Sequence, residues 1–408
     1  MDNRVSGRPL RVLFLGNDDN VNYQMAKWSR EFGVAADLWI IQPIDPYRGD
    51  LRSLEPHMSE LPDWIRNVPL GDGRRAALFP GEIGRHIDET YDFVGVAGPA
   101  SLMASLRLRT PRALNCIGSE LGDLPFPLKR GYRVSQGFRL PHYNLSVALL
   151  VRAALRRLEF IVDSFEAHTP ALRRLRLLDK RQFFGLPGDS KGSRDRVLTE
   201  LRDDLLRRYG GARRIFMWFS RLNFSDPQAL IYKGAERFLL ALEAVLPELR
   251  TGQVQVIVGR HGNEVSPFVE LADRSPVKEL INWVPHLGAD ELATYLSLPK
   301  AVLFSEFGEH LRELSGIGRD ASALGTVTVS SAVPDTVERQ YGMPAPILRA
   351  VTAPEIATRM RELVDMDDAK FEDIRIAMSD FGERAVDYHA FIPKFYDLVQ
   401  KAIGQRAP

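Results

Sequence analysis

The stretch Arg214-Ile-Phe-Met-Trp-Phe219-Ser220-Arg221-Leu222, followed by Lys233-Gly234, decides the reading of the chain. After Arg214 come five apolar residues, the pattern of a strand buried on both faces of a parallel sheet. Arg221 then falls just past the strand, and Lys233 falls at the start of a helix over 234–249. An arginine and a lysine so placed can neutralise a diphosphate, helped by the free N–H groups and positive potential of the helix start.

Further along, the same alternation continues. Strands are expected at 254–259, 279–284, 301–304 and 326–329, with helices over 290–298 and from 320 between them. Toward the amino end, 11–16 and 37–41 read as strands joined by a polar loop and a helix over 23–32, a βαβ unit. Later strands of that sheet are expected at 93–97, 112–116 and 159–163, with a helix over 145–158. Residues 185–196, dense in Gly, Pro, Ser, Asp and Lys, read as a linker before a charged helix over 197–209. The tail 371–403 reads as amphipathic helix broken near Pro393. The fold class is therefore α/β, with two doubly wound domains and a ligand cleft at the carboxyl ends of their strands.

The composition fits this division. The chain has 408 residues, 45% hydrophobic and 26% charged, whereas a single core rarely grows past roughly 250–300 residues. Net charge is only +1, so nothing global favours a nucleic-acid partner, and none is expected. Cys116 is the only cysteine, which excludes an intrachain disulfide and a Cys-rich zinc site and suits a reducing cytosol. The first residues form no signal-peptide core, and no apolar run approaches the roughly 20 residues of a membrane span. A cytoplasmic location is expected.

The order of motifs from 215 to 331 resembles the nucleotide-sugar half of the retaining GT-B glycosyltransferases of family 4, the glycosyl transferases group 1. The motifs are Ser220-Arg221-Leu222, Lys233-Gly234, Val-Ile-Val-Gly259, Trp283-Val-Pro-His-Leu287, Leu303-Phe-Ser-Glu306-Phe-Gly308 and Asp320-Ala-Ser-Ala-Leu-Gly325-Thr326. The resemblance implies two Rossmann-like domains facing a cleft. They would comprise an acceptor domain over 1–190, a nucleotide-sugar domain over 191–385, and a C-terminal helix over 386–408 crossing back to the first domain. It implies transfer of a sugar, of hexosyl type, from a nucleoside-diphosphate sugar to a glycan, lipid-linked or small-molecule acceptor, with retention. No obligatory cofactor or metal is implied; the nucleotide sugar is the co-substrate.

Residue by residue, the resemblance gives Arg221, Lys233 and Glu306 as the catalytic set. Arg221 and Lys233 would hold the diphosphate and Val284 and Pro285 would line the base pocket, with Ser220 and Gly259 also in the donor site. Glu306 or Glu309 would face the sugar, and Asp320 the ribose hydroxyls, since a carboxylate accepts from two vicinal hydroxyls. Asn17, Asn20 and Asn22 in the first loop, with Ser119, are the expected acceptor contacts. The chain departs from the family in an inserted loop over 223–232, in Ile117 where a histidine is usual, and in Asp320 where a glutamate is usual. A second reading is a catalytically impaired GT-B-like nucleotide-binding or scaffold protein; a third is a nucleotide-sugar epimerase of the same architecture.

Other patterns lead elsewhere. Gly185–Ser193 lacks the Gly-Lys pair of a phosphate loop, and no GxGxxG follows the first strand. Asp365-Met-Asp367-Asp368 reads as a solvated turn, and His142 and His168 as structural histidines. Between 129 and 181 twelve bases face four acids, an excess of eight, with Phe126, Tyr132, Phe138 and Tyr143 among or close to them. Such a face can meet anionic lipid headgroups or a polyanionic acceptor.

Overall fold

The computed structural model describes the chain from Arg4 to Gln405, except residues 6–7, 18–19, 42–50, 52–59, 69–80, 117–118, 123, 127–140, 228–231, 252–253 and 310. It divides into two compact units, one of residues 1–184 with 391–408, the other of residues 185–390. Each contains a parallel sheet with helices, the GT-B-like architecture.

In the first unit a short antiparallel hairpin, β1 (Arg4–Val5) and β2 (Arg8–Pro9), precedes the sheet. The sheet itself holds β3 (Arg11–Leu15), β4 (Ala35–Ile41), β5 (Ile65–Val68), β6 (Phe93–Val96), β7 (Arg112–Asn115), β8 (Phe160–Val162) and β9 (Arg181–Gln182). Their order is β5-β4-β3-β6-β7-β8-β9. The chain builds one way from β3 and then returns to build the other way from β6, so the order reverses between β3 and β6. The C-terminal helix Tyr388–Gly404 belongs to this unit from Phe391 onward. Its Phe395 lies among Phe14, Phe93 and Phe160, at ring separations of 5.9 to 6.3 Å.

In the second unit the strands are β10 (Arg214–Trp218), β11 (Val254–Gly259), β12 (Ile281–Val284), β13 (Ala301–Ser305), β14 (Val327–Ser330) and β15 (Leu348–Arg349). Their order is β12-β11-β10-β13-β14-β15, reversing between β10 and β13. Strands β10 and β13 are buried throughout, which explains their apolar runs 215–218 and 301–304. Phe216, Trp218, Phe304 and Phe307 join Phe238 of the helix Ala235–Ala244 in one core.

Three details differ from the sequence expectation. Residues 185–196 are part of the second unit and contain a helix, Ser190–Asp195, capped by Asp189 accepting from the Gly192 N–H. The tail does not break at Pro393, which lies inside the last helix. The break is at 382–387, where a five-residue π turn ends and Asp387 accepts from the Ser190 N–H at 2.9 Å. Buried Phe391, Ile392, Phe395 and Tyr396 hold the helix across its proline, offsetting the missing N–H. The acidic run 365–368 is more than a turn: Asp367 caps the helix Asp368–Phe381, and Asp368 pairs with the buried Arg214 at 2.9 Å.

Candidate functional site

In a doubly wound sheet the ligand crevice lies where the strand order reverses, beyond the carboxyl ends. In the second unit that place follows β10 and β13, and it gathers Ser220, Arg221, Glu306 and Lys233. Lys233 Nζ lies 2.6 Å from Glu306 Oε1, with both side chains mostly buried (20% and 15% exposed). The backbone of the two segments is joined as well, the Phe307 N–H donating to the Lys233 carbonyl at 2.8 Å. Gly234, which caps the following helix, has φ 76°, and a Cβ there would stand 2.3 Å from the Phe307 carbonyl oxygen. The glycine of the Lys-Gly pair is thus a consequence of this close approach.

Glu306 itself has φ 57°, a left-handed conformation uncommon outside glycine. Ser331 holds it there: its N–H donates to the Glu306 carbonyl, and its hydroxyl stands 2.7 Å from the same oxygen. Backbone strain of this kind costs of order 1–3 kcal/mol and gathers at functional positions. Ser220 adds a second signal. Its hydroxyl oxygen is buried and has no hydrogen-bond partner among the described residues, which normally costs about 1–3 kcal/mol. The Arg221 guanidinium is exposed and likewise makes no hydrogen bond or ion pair among the described residues. A ligand bearing acceptor oxygens would satisfy both.

The inserted loop is pinned at its base. The buried Asn223 accepts from the Lys233 N–H at 2.8 Å through its carbonyl and from the Asn263 N–H at 3.0 Å through its side chain. Glu264 accepts from the backbone N–H of Phe224 and of Ser225. Neither residue, nor Ser331, was picked out from sequence, because each acts through backbone groups that leave no motif.

Beyond the ends of β11 and β12 the rings of His261 and His286 stack, 4.2 Å between centroids and 22° between planes. Burial, then the His286 ring and Arg221, push His261 down to about 4, so it is neutral at pH 7. His261 was not singled out from sequence, and His286 stood in the Trp283–Leu287 motif without a role of its own, although each follows a predicted strand. Unfolded His261 would take its proton near 6.5, and the folded one only near 4. Stability is therefore unaffected above that window and falls as pH drops through it. His261→Gln should flatten the decline in Tm between pH 6.5 and 4; an unchanged pH profile would refute the buried neutral imidazole. Gly259 ends β11, Val284 is buried at the end of β12, and Pro285 is exposed beside it.

Two further expected donor residues are exposed. Glu309 is exposed in the loop after β13. Asp320 lies in the helix Gly316–Ala323, and the charges around it are Arg319, Arg196 and Asp189, with neither Arg221 nor Lys233 among them. Desolvation by the surrounding protein raises its pKa, against the lowering effect of Arg319 and Arg196.

In the first unit, the loop after β3 is internally bonded. Asn17 donates to Asn20 Oδ1 at 2.8 Å and accepts from the Tyr23 N–H, and Asn20 has φ 58°. Asn22 is fully buried, donating to the Leu15 and Gly95 carbonyls and accepting from Asn115. Ser119 opens the turn Ser119–Gly122; its side chain, Ile117 and the side chain of His142 lie outside the described residues. His168 joins a buried cluster: its Nδ1 is 2.8 Å from Asp163 Oδ1 and 3.8 Å from Cys116 Sγ. Arg181 Nε lies 2.8 Å from the other Asp163 oxygen. The Asp163–Arg181 pair balances its own charge without a metal, and thiol and acid meet the same ring nitrogen, which prevents a nucleophile relay. Within 129–181, Lys180 caps the Arg156 and Leu158 carbonyls and Arg152 binds the Pro125 carbonyl, so part of the basic excess serves the fold. Lys129, Arg130, Arg133 and Arg139 lie outside the described residues. Among the described residues no helix is long and apolar enough to cross a membrane.

No protein-family model matches the chain, and no curated protein matches it by sequence. Solved structures do match. Anabaena Alr3699/HepE, in complex with UDP and glucose, superposes with a TM-score of 0.65 at 16% identity, covering 96% of this chain and 100% of that one. Sucrose-phosphate synthase from Thermosynechococcus elongatus gives 0.66 at 14% identity, with 97% and 100% covered. A putative UDP-N-acetylglucosamine 2-epimerase from Listeria monocytogenes gives 0.55 at 15% identity, with 98% of each chain covered. At such identities the likeness is one of architecture: the chain has a GT-B-like fold, shared with glycosyltransferases.

Proposed function

We propose that the protein is a glycosyltransferase that takes a hexosyl group from a nucleoside-diphosphate sugar and passes it to an acceptor with retention, as in family 4. The observation that carries this reading is the group at the β10/β13 reversal: Lys233 clamped to the strained Glu306, beside a partnerless Arg221 and the orphaned Ser220 hydroxyl. In this reading Arg221 and Lys233 stabilise charge growing on the leaving diphosphate, and Ser220 donates to one of its oxygens. Glu306 fixes the lysine and faces the sugar, with Glu309 available from the same loop. The base lies against Val284 and Pro285, by Gly259. Asp320 is the candidate for the ribose hydroxyls, although its charged neighbours belong to a different group.

The acceptor, a glycan, lipid-linked or small molecule, would be taken by the first unit at Asn17, Asn20 and Ser119, with Asn22 fixing their loop from within. A cytoplasmic protein touching anionic membrane lipid through 129–181 accords with exposed Leu145 and Leu149 in the same stretch as exposed Arg156 and Arg157. The position of Asp320 favours, as a second reading, a nucleotide-binding or scaffold protein without turnover. Nucleotide sugars offered one at a time, with and without candidate acceptors, separate the cases. Acceptor-dependent release of nucleoside diphosphate is the expected result. Binding without turnover would favour the scaffold, and acceptor-independent conversion of the sugar an epimerase.

A further inference from the structure

The second unit holds a cavity of about 520 Å³, lined by Arg194, Thr199, Arg202, Ser297, Leu324 and Ser379 among others. Ser297 follows the helix Ala289–Leu296 and Leu324 follows the helix Gly316–Ala323, the segments that lead into the amino ends of β13 and β14. Arg221 and Glu306 follow the carboxyl ends of β10 and β13. The cavity therefore lies at the opposite edge of the sheet from the donor residues, and nothing in the donor reading uses it.

Its lining is rich in donors. Arg202 is half-buried, and its guanidinium has no hydrogen-bond or ion-pair partner among the described residues. Arg194 is held in place, its Nε donating to the Ala323 carbonyl at 3.2 Å, and its charge is met by the half-exposed Glu383. Thr199 begins the helix Thr199–Tyr209, whose first-turn N–H groups have no acceptor within the helix. Glu200 in that turn is the one acid there, and it is exposed. The Ser297 hydroxyl already donates to the Thr294 carbonyl at 2.8 Å, so its lone pairs are left to accept from a ligand hydroxyl. The volume falls within the roughly 300–1,000 Å³ of small-molecule sites.

We propose that this cavity is a second binding site, for a small phosphate monoester carrying hydroxyl groups. The forked guanidinium of Arg202 takes the phosphoryl oxygens, with the helix start adding positive potential. Ser297 and Ser379 meet the hydroxyl-bearing body, and Leu324 supports its carbon face. A phosphate monoester suits the site better than a carboxylate because it offers three acceptor oxygens and nearly two charges to a wall of donors.

The test is calorimetric titration of the full chain with ribose 5-phosphate and, separately, inorganic phosphate. Saturable binding of ribose 5-phosphate is expected, at least about tenfold weaker in Arg202→Met, the effect of losing a charge-assisted hydrogen bond. Affinity in Arg221→Ala should stay within about twofold of the parent. Thr199→Trp, at an exposed helix start that tolerates substitution, should abolish binding by filling the cavity, which covers the case of an unstable Arg202 variant. Inorganic phosphate should bind more weakly than the sugar phosphate. Absence of saturable binding would overturn the proposal. So would binding that survives both Arg202→Met and Thr199→Trp, or binding that Arg221→Ala removes, which would assign the anion to the donor pocket.

Discussion

Replacing Lys233 with alanine is expected to cut sugar transfer by about 10²–10³-fold while the fold survives, the loss seen when one preorganised donor to a developing oxyanion is removed. The argument runs from the environment of the pair. Lys233 and Glu306 lie 2.6 Å apart and are only 20% and 15% exposed. At that burial a charge is poorly screened and acts more strongly than on the surface. The lysine is also preorganised, because its backbone is stitched to Phe307 and Asn223, so little reorganisation is needed as charge builds on the leaving diphosphate. Truncation leaves Glu306 without its cation, and some loss of stability, about 1–3 kcal/mol, should accompany the loss of rate. Two measurements separate these effects: nucleoside-diphosphate release at saturating donor, and Tm. Lys233→Arg supplies the comparison, retaining charge with a different donor geometry. It should keep the stability better than the rate. Turnover in Lys233→Ala within threefold of the parent would remove the assignment of Lys233 to the reacting diphosphate.

The sequence was most legible where the sheet is most buried. β10 and β13 carry apolar runs because helices cover both faces, so 215–219 and 301–304 announced themselves. The edge strands β9 and β15 are two residues each, Arg-Gln and Leu-Arg, and carry no such run. The helix Ala353–Asp365 has a readable start, since Thr352 and Glu355 form a capping box. The candidate site divides in the same way. Lys233-Gly234 was legible because a helix start and a tight backbone approach both leave their residue types in the chain. Glu306 was found as a carboxylate, but its left-handed backbone is imposed by Ser331, 25 residues further on, and no local pattern encodes that. Asp320 was assigned by its place in an ordered series of motifs, and such order says nothing of which side of a helix a carboxylate occupies. His261 and His286 could have been found by asking what stands directly after each parallel strand, the place from which side chains reach a ligand in these sheets.

Gly234→Ala is expected to lower the stability of the second unit by roughly 2–4 kcal/mol and to lower transfer with it. Two costs combine. A left-handed backbone at φ 76° costs a non-glycine residue of order 1–2 kcal/mol. The added Cβ would also meet the Phe307 carbonyl oxygen at 2.3 Å, a contact with backbone that no rotamer change relieves. Gly342 isolates the first cost: it has φ 74°, but a Cβ there meets nothing within 4 Å. Gly342→Ala should therefore cost only about 1–2 kcal/mol. For a unit of this size each kcal/mol is worth roughly 2–4 °C in Tm, so the two variants should differ by several degrees in calorimetric melting. The rate should separate them further. Relief of the clash at 234 must move the 306–308 segment away from the helix start, and that segment carries the partner of Lys233. Gly342→Ala should turn over like the parent, whereas Gly234→Ala should lose activity even at temperatures where it is fully folded. Equal melting shifts and equal rates in the two variants would mean that the close approach of Lys233-Gly234 to Glu306-Phe307 does not govern the site.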